Sequence, residues 1–469
     1  MSIADVIAGR RAWWIETAHV LDGLRAIPDG VVSCVVTSPP YMGLRAYGTE
    51  PVVTGGATDC AHEWTNGQTP GISGGMNRAN AATKDTANFQ VVPAREHATC
   101  TRCGAWRGEL GSEPTSQLYI AHLVEVFREV ARVMRPDATL WLNCGDSYSG
   151  SGKGPTGHNG IQHAEERQGF TDQRSVGPPA KSLCLIPERL AIALQDDGWY
   201  IRSRICWAKT SPMPESVTDR PTSAWEHIFL LTKRPTYYYD AHAVRQPYNE
   251  NSLGRYQYAL QGTAPTCRQP GGDVERRERE KGVRPPNPLG ANLRNFWLLP
   301  PEPFPAAHFA TFPPEIPRRA ILAGTSAHGA CPTCGAGWVR RTERTGTGRV
   351  YARGACPADS RALGQPQRTG AGSGALSVVS RTTDWQPTCT CADPRPLVPP
   401  IVLDPFSGAG TTVLVANRLG RRAIGLELNA NYAAMSRARI ESDAPLVEAV
   451  AAADGWAQAG LFAEEEETG

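Results

Sequence analysis

The sequence predicts an α/β chain built on a doubly wound, mostly parallel sheet, and three observations predict it. An apolar run, Val31 to Val36, feeds directly into Thr37-Ser38-Pro39-Pro40-Tyr41. Far downstream, Ile401-Val402-Leu403-Asp404 enters the glycine turn Pro405-Phe406-Ser407-Gly408-Ala409-Gly410, then a helix from Thr412 to Leu419 and a strand from Arg422 to Glu427. Between them, Tyr119, Leu123, Val126, Phe127, Val130, Val133 and Met134 recur at helical spacing ahead of a strand around Leu140. Helices alternating with apolar strands place helices on both faces of a parallel sheet.

Each element follows from its residues. The β-branched run at Val31–Val36 reads as a buried strand. The two prolines fix φ and lack an N–H, so the carbonyls of the turn point outward as acceptors, beside the Ser38 hydroxyl and the Tyr41 ring. Such a turn grips a planar amino group; a plain strand-terminating loop uses the same residues. Thr115 is placed to cap the helix that Pro136 ends. The stretch 54–99 is polar and Gly/Asn-rich, and Gly150–Pro179 reads as a mobile loop. A helix, Pro187 to Asp196, leads to strands at Tyr200–Trp207 and Glu226–Thr232. From Asp240 to about Arg294 the pattern dissolves into charge, with Arg245, Arg255, Arg276 and Arg277 among aromatics. Glu464–Glu467 forms an acidic tail.

At 469 residues the chain exceeds one ordinary core, so appended modules are expected. It has no run of 18 apolar residues and no signal-peptide pattern, which predicts a soluble, cytoplasmic protein without a membrane partner. A formal net charge of +2 means that any nucleic-acid contact rests on local clusters. Thirteen cysteines in such a chain predict metal ligands and buried thiols rather than disulfides.

The glycine turn lets backbone approach a ligand, and Glu427, some twenty residues on, is placed to accept ribose hydroxyls. A third glycine is missing near Val413, so a nucleoside cofactor without a pyrophosphate fits better than a dinucleotide. Asp404 and Glu427 equally suit a turn-capping acid and a solvated surface residue. Cys100-x-x-Cys103 with Cys60 and His62 forms one candidate zinc set, with His97 as an alternative to His62. Cys331, Cys334, Cys389 and Cys391 form a second, with Cys356 and His328 competing. Both are expected to be closed, structural sites away from the catalytic motifs; the alternative is buried or free thiols.

Taken together, the Thr37–Tyr41 and Ile401–Thr412 segments resemble the amino-group DNA methyltransferases that use S-adenosylmethionine. The order of the two, catalytic motif first and cofactor motif last, is that of the family's β-class. Thr139–Tyr148 resembles the strand beside its catalytic pocket, Gly198–Lys209 with Trp225–Lys233 its antiparallel pair, and His308–Pro313 its cofactor loop. The resemblance implies a Rossmann-like methyltransferase fold with permuted motif order, carrying two small zinc-knuckle inserts and a target-recognition region. It implies that Ser38, Pro39, Pro40 and Tyr41 act on an exocyclic amine of a base flipped out of double-stranded DNA. It also implies that Asp404, Phe406, Gly408, Gly410 and Thr411 line the cofactor, that Glu427 holds its ribose and that Phe312 closes its methionine end. Asp146 either faces the base or braces its loop.

Serine in first place resembles the N4-cytosine members more than the N6-adenine ones, and no Pro-Cys dipeptide supports a C5 scheme. One departure stands out: where the family commonly has Gly-Asp, this chain has Ala18-His19. The implied organisation is a core from 1–53, 113–240 and 396–445, knuckle inserts at 54–112 and 331–395, a recognition region at 241–296, a cofactor loop at 297–330 and a tail at 446–469. A restriction endonuclease is the implied functional partner. RNA or protein-amide methylation, and a catalytically silent DNA-binding scaffold, are the competing readings.

Overall fold

The computed structural model describes residues 2–42, 51–57, 59–69, 95–149, 178–179, 181–212, 214–215, 217–248, 290–302, 311–345, 379–392 and 395–443. The expected loop 150–177, the arginines from Arg255 to Arg284, His308–Ala310, Cys356, the side chain of His97 and the acidic tail lie outside them.

The strands are β1 (Trp13–Thr17), β2 (Val32–Thr37), β3 (Val52–Thr54), β4 (Trp64–Thr69), β5 (Arg95–Cys100), β6 (Trp106–Gly108) and β7 (Met134–Cys144). They continue with β8 (Tyr200–Lys209), β9 (Trp225–Thr232), β10 (Phe296–Leu299), β11 (Val339–Thr345), β12 (Val379–Gln386), β13 (Ile401–Asp404) and β14 (Arg422–Glu427). The helices are α1 (Ile3–Ile7), α2 (Val20–Arg25), α3 (Ser116–Val133), α4 (Ile186–Asp196), α5 (Glu315–Gly324), α6 (Thr411–Arg418) and α7 (Ala430–Asp443).

Eight strands form the main sheet in the order β1-β14-β13-β2-β7-β9-β8-β10. From β1 to β7 every pairing is parallel; β9 runs antiparallel to both β7 and β8. The central β2, β13 and β14 are buried along nearly their whole length, as apolar strands covered on both faces must be. On one face, Val35, Leu140, Leu403 and Leu426 pack with α2, α3 and α4 residues such as Leu24, Phe127 and Leu190. On the other, Cys34 Sγ reaches the Ala320 carbonyl of α5 at 3.8 Å, and a Cβ on Gly324 would lie 2.4 Å from Thr139 Oγ1. The predicted doubly wound sheet is therefore present.

Thr115 caps α3 as expected, its hydroxyl accepting from Leu118 N at 3.2 Å. The helix, however, stops at Val133, and Pro136 lies inside β7. A proline forces its predecessor into extended backbone, so the chain has to leave the helix before Arg135.

By contacts, the chain divides into two compact units. The first comprises Met1–Tyr239, Asn295–Gly337 and Cys389–Gly469; it holds the main sheet and a four-stranded antiparallel sheet, β3-β6-β5-β4. The second comprises Asp240–Arg294 and Trp338–Thr388. There β11 and β12 pair as an antiparallel ribbon, and Arg340 donates to the buried Asp240 carboxylate at 2.8 Å. The stretch 331–395 thus gives Cys331, Cys334, Cys389 and Cys391 to the first unit and its β-ribbon to the second. Among the described residues, no helix is long and apolar enough to cross a membrane.

Candidate active site

Strands β2 and β13 come from opposite ends of the sequence yet are neighbours, with Cα partners Cys34↔Val402 and Val35↔Leu403. Because they run parallel, the turns at their carboxyl ends open at the same edge of the sheet. Side chains tie the two ends together. Thr37 Oγ1 donates to Asp404 Oδ1 at 2.7 Å, and Thr412 Oγ1 donates to the Val36 carbonyl at 3.1 Å. Phe406 N also donates to Asp404 Oδ1, at 3.1 Å, so this acid caps its own turn while lining the cleft.

Burial raises the Asp404 carboxyl from its ordinary 3.8 to about 6, although the Thr37 hydroxyl bond opposes this. The folded protein therefore holds that proton more tightly than the unfolded chain, and its advantage is lost as pH rises from 4 through 6. We expect Asp404→Asn, which does not titrate, to gain about 3 kcal/mol on the parent between pH 4 and pH 7. Urea unfolding at both pH values measures it; a constant difference between the two proteins would refute the assignment.

Ser38, Pro39, Pro40 and Tyr41 line one cleft of about 950 Å³ together with Asp404, Phe406, Gly408, Thr411, Glu427 and Phe312. Tyr119 Oη donates to the Pro40 carbonyl at 2.6 Å, which anchors the turn to α3. The Tyr41 ring lies against Gly145, where a Cβ would come within 2.4 Å of ring carbon Cε2. Tyr41 Oη accepts from Ser38 Oγ at 3.2 Å and donates toward Glu226 Oε2 at 2.8 Å, with Asn143 Oδ1 at 3.1 Å. Lys209 Nζ pairs with Glu226 Oε1 at 2.5 Å. Burial pushes the Tyr41 phenol well above its ordinary 10, and the Glu226 carboxylate pushes it the same way.

On the β13 side, Gly408 sits at φ +51°, where a side chain would be strained, and its N–H donates to Glu427 Oε2 at 2.8 Å. Glu427 Oε1 accepts from Asn429 N at 2.8 Å, and burial raises this carboxyl above its ordinary value. Gly410 is not among the lining residues. It caps α6 at φ +74°, with Ser436 only 3.0 Å from where its Cβ would stand. His19 precedes α2 and lines the cleft, and burial lowers its pKa, which favours the neutral ring. Asp146 braces its loop: Oδ1 accepts from Ser147 N and Ile186 N, and Oδ2 from Leu185 N.

The N6/N4 methyltransferase family, described as DNA methylase, matches residues 32–331 and 400–438. The chain belongs to this family. The match spans both turns of the cleft. The methylase is also 26% identical over 430 residues to the Type II methyltransferase M.SmaI of Serratia marcescens, covering 92% of this chain and 91% of that one. It is 29% identical over 433 residues to the Type II methyltransferase M.XycI of Xanthomonas campestris pv. cyanopsidis, covering 92% and 88%. Among solved structures, PvuII DNA methyltransferase (cytosine-N4-specific) aligns with a TM-score of 0.43 at 13% identity, covering 92% of this chain and 86% of that one.

Two cysteine sets of the methylase could each hold a metal ion, and both are the sets expected from sequence. The ligand atoms of Cys60, His62, Cys100 and Cys103 lie within 4.8 Å of one another, and so do those of Cys331, Cys334, Cys389 and Cys391. Cys60 and Cys100 sulfurs are 3.9 Å apart, and Cys103 Sγ is 3.4 Å from His62 Nδ1. Tetrahedral zinc with bonds of about 2.3 Å to sulfur sets sulfurs about 3.8 Å apart, so the donor set fits. Although burial opposes it, backbone N–H groups of Cys103 and Arg102, with His62, draw the Cys100 thiol down to about 6. The ligands of the first set stand outside the cleft lining, but their sheet does not. Val52, Thr54 and Gly108, with Glu109 and Leu110 just beyond β6, form part of its wall, nearer the Ser38–Tyr41 turn than sequence spacing suggested.

Sequence reasoning missed Asn143, Gly145, Lys209 and Glu226 as site residues. The available signal was a polar side chain breaking an apolar strand, as Asn143 does within Leu140-Trp141-Leu142-Asn143-Cys144.

Proposed function

We propose that this methylase transfers a methyl group from S-adenosylmethionine to the exocyclic amine of a base flipped from double-stranded DNA, with N4 of cytosine as the favoured target. One observation carries the reading: the Ser38–Tyr41 turn and the Asp404–Gly408 turn line a single cleft, held together by Thr37 and Asp404. The cleft suits the cofactor chemically. Apolar Leu21, Phe406 and Leu428 would flank a flat adenosine, Glu427 would accept ribose hydroxyls, and neutral His19 could still bond the adenine edge. Phe312 and Thr411 would close the methionine end. When bound, S-adenosylmethionine supplies an electrophilic methyl group on a sulfonium.

The chain's own task is to place the amine and shape its lone pair. Because Tyr119 uses the Pro40 carbonyl, the Pro39 carbonyl and Ser38 Oγ are the acceptors offered to the two amine hydrogens. The Tyr41 ring would pack on the base. A neutral serine hydroxyl at the first position favours cytosine over adenine. The two cysteine sets would hold structural Zn2+, and the second unit, which contains the arginine-rich stretch, would contact the recognition sequence. A cognate restriction endonuclease would then read the same site.

Incubation with plasmid DNA and S-adenosylmethionine, followed by digestion to nucleosides and mass spectrometry, should yield N4-methylcytosine. Ser38→Ala should lower the yield about 100-fold. N6-methyladenine alone would overturn the base assignment, and an RNA- or protein-only product would overturn the substrate.

A further inference from the structure

Ser38, Tyr41 and Glu226 make a chain of hydroxyls ending on a carboxylate, and its donors all point one way. Ser38 Oγ donates to Tyr41 Oη at 3.2 Å, and Tyr41 Oη reaches Glu226 Oε2 at 2.8 Å. The phenol has one proton and two acceptors in range. A charged carboxylate at 2.8 Å outcompetes the neutral Asn143 amide oxygen at 3.1 Å. The Asn143 amide is itself fixed, since its Nδ2 donates to Glu226 Oε2 at 3.1 Å and to the His227 carbonyl at 3.0 Å. With its own proton committed to the phenol, Ser38 is left with its lone pairs free to accept.

We propose that Glu226 is a positioning residue for both hydroxyls and the final acceptor of the proton that leaves the base amine, which reaches it through Ser38 and Tyr41. The inference rests on the amino-methylation reading above and deepens it. As the N–CH3 bond forms, the S–CH3 bond of the cofactor breaks and the amine nitrogen carries a surplus proton. That proton passes to Ser38 Oγ while the serine proton moves to Tyr41 Oη and the phenol proton to Glu226 Oε2. A cation and a carboxylate are thereby replaced by a neutral thioether and a neutral acid, so charge balances.

Of the five other acids lining the cleft, four are engaged elsewhere, Glu215 by Arg220 at 2.7 Å. Asp146 is taken by three backbone N–H groups, Asp404 by Thr37 and Phe406 N, and Glu427 by Gly408 and Asn429 N. Glu226 has a second asset. Its Oε1 faces the Lys209 ammonium, and its side chain is 17% exposed, which opens a route back to water after each turnover.

The test is single-turnover methylation of duplex DNA at saturating cofactor, with cofactor and DNA binding measured by calorimetry. Glu226→Gln, nearly isosteric, should slow methylation about 100-fold with both affinities kept, and Glu226→Asp should recover part of the loss. Tyr41→Phe should lose as much, and the double variant no more than the worse single one, because both cut one chain. A second readout needs no turnover: the 13Cζ resonance of Tyr41 in the ligand-free protein, assigned by its loss in Tyr41→Phe, should move in Glu226→Gln.

A Glu226→Gln rate within about threefold of the parent, additive losses, or an unmoved resonance would each overturn the inference while leaving the proposed activity intact. If Glu226→Gln does not fold, Tyr41→Phe decides by the same rate criterion. A parent protein that methylates no DNA would overturn the functional reading, and this inference with it.

Discussion

Gly145→Ala is expected to lower the methylation rate about 100-fold while the protein stays folded. The added methyl would stand 2.4 Å from Tyr41 Cε2 and 2.8 Å from Cδ2, so the ring has to move. It cannot slide freely, because its hydroxyl is held by Ser38 and Glu226. On its other flank, a Cβ on Gly111 would meet the Tyr41 carbonyl at 3.1 Å, so the turn is hemmed in there too. A displacement of about an ångström at the reacting geometry is enough for a loss of this size. Cofactor titration separates the causes: unchanged affinity with a reduced rate locates the damage at the base side. A rate within about threefold of the parent would show that the ring relaxes without consequence.

Loss of metal from the first cysteine set should have the larger effect on stability. The parent should carry two zinc ions per chain, and Cys103→Ser one, as read by elemental analysis. Structural zinc contributes on the order of 10 kcal/mol to the small modules it closes, so the four-stranded sheet should open without it. The damage would reach the cleft through two contacts. Trp106 of β6 is buried with its ring 5.3 Å from His122 of α3, and Gly111, just beyond β6, lies against the catalytic turn. We therefore expect Cys103→Ser to lower the thermal midpoint and cut methylation at least about tenfold. A parent protein free of zinc, or a variant with unchanged melting and rate, would sink the assignment.

The parts of the site that were legible in the sequence are those coded locally. The strand-to-proline and strand-to-glycine turns are contiguous, and their residue types announce both the backbone and the groups presented. The cysteine sets were legible by spacing, but the choice of His62 depended on how the ends of β4 and β5 meet. Glu226, Lys209 and Asn143 were hidden for a different reason. They lie on three strands, and their meeting depends on register: Trp207 opposite Glu226, and Asn143 opposite Ile228. A polar residue at a strand end looks the same in sequence whether it faces water or a buried phenol. Asp146 could not be settled from sequence either, since its partners, Leu185 and Ile186, lie about 40 residues away.

The pairing of β2 with β13 also bears on how the molecule is made. The Thr37–Asp404 bond joins residues 367 apart, a closure that would cost about 5 kcal/mol were it the first contact to form. On the ribosome, β2 emerges long before β13, so one side of a valine-rich, largely buried strand waits without its neighbour. Such an open edge invites mispairing with other nascent chains. Slow synthesis or heat should therefore drive newly made protein into aggregates more readily than it harms protein already folded.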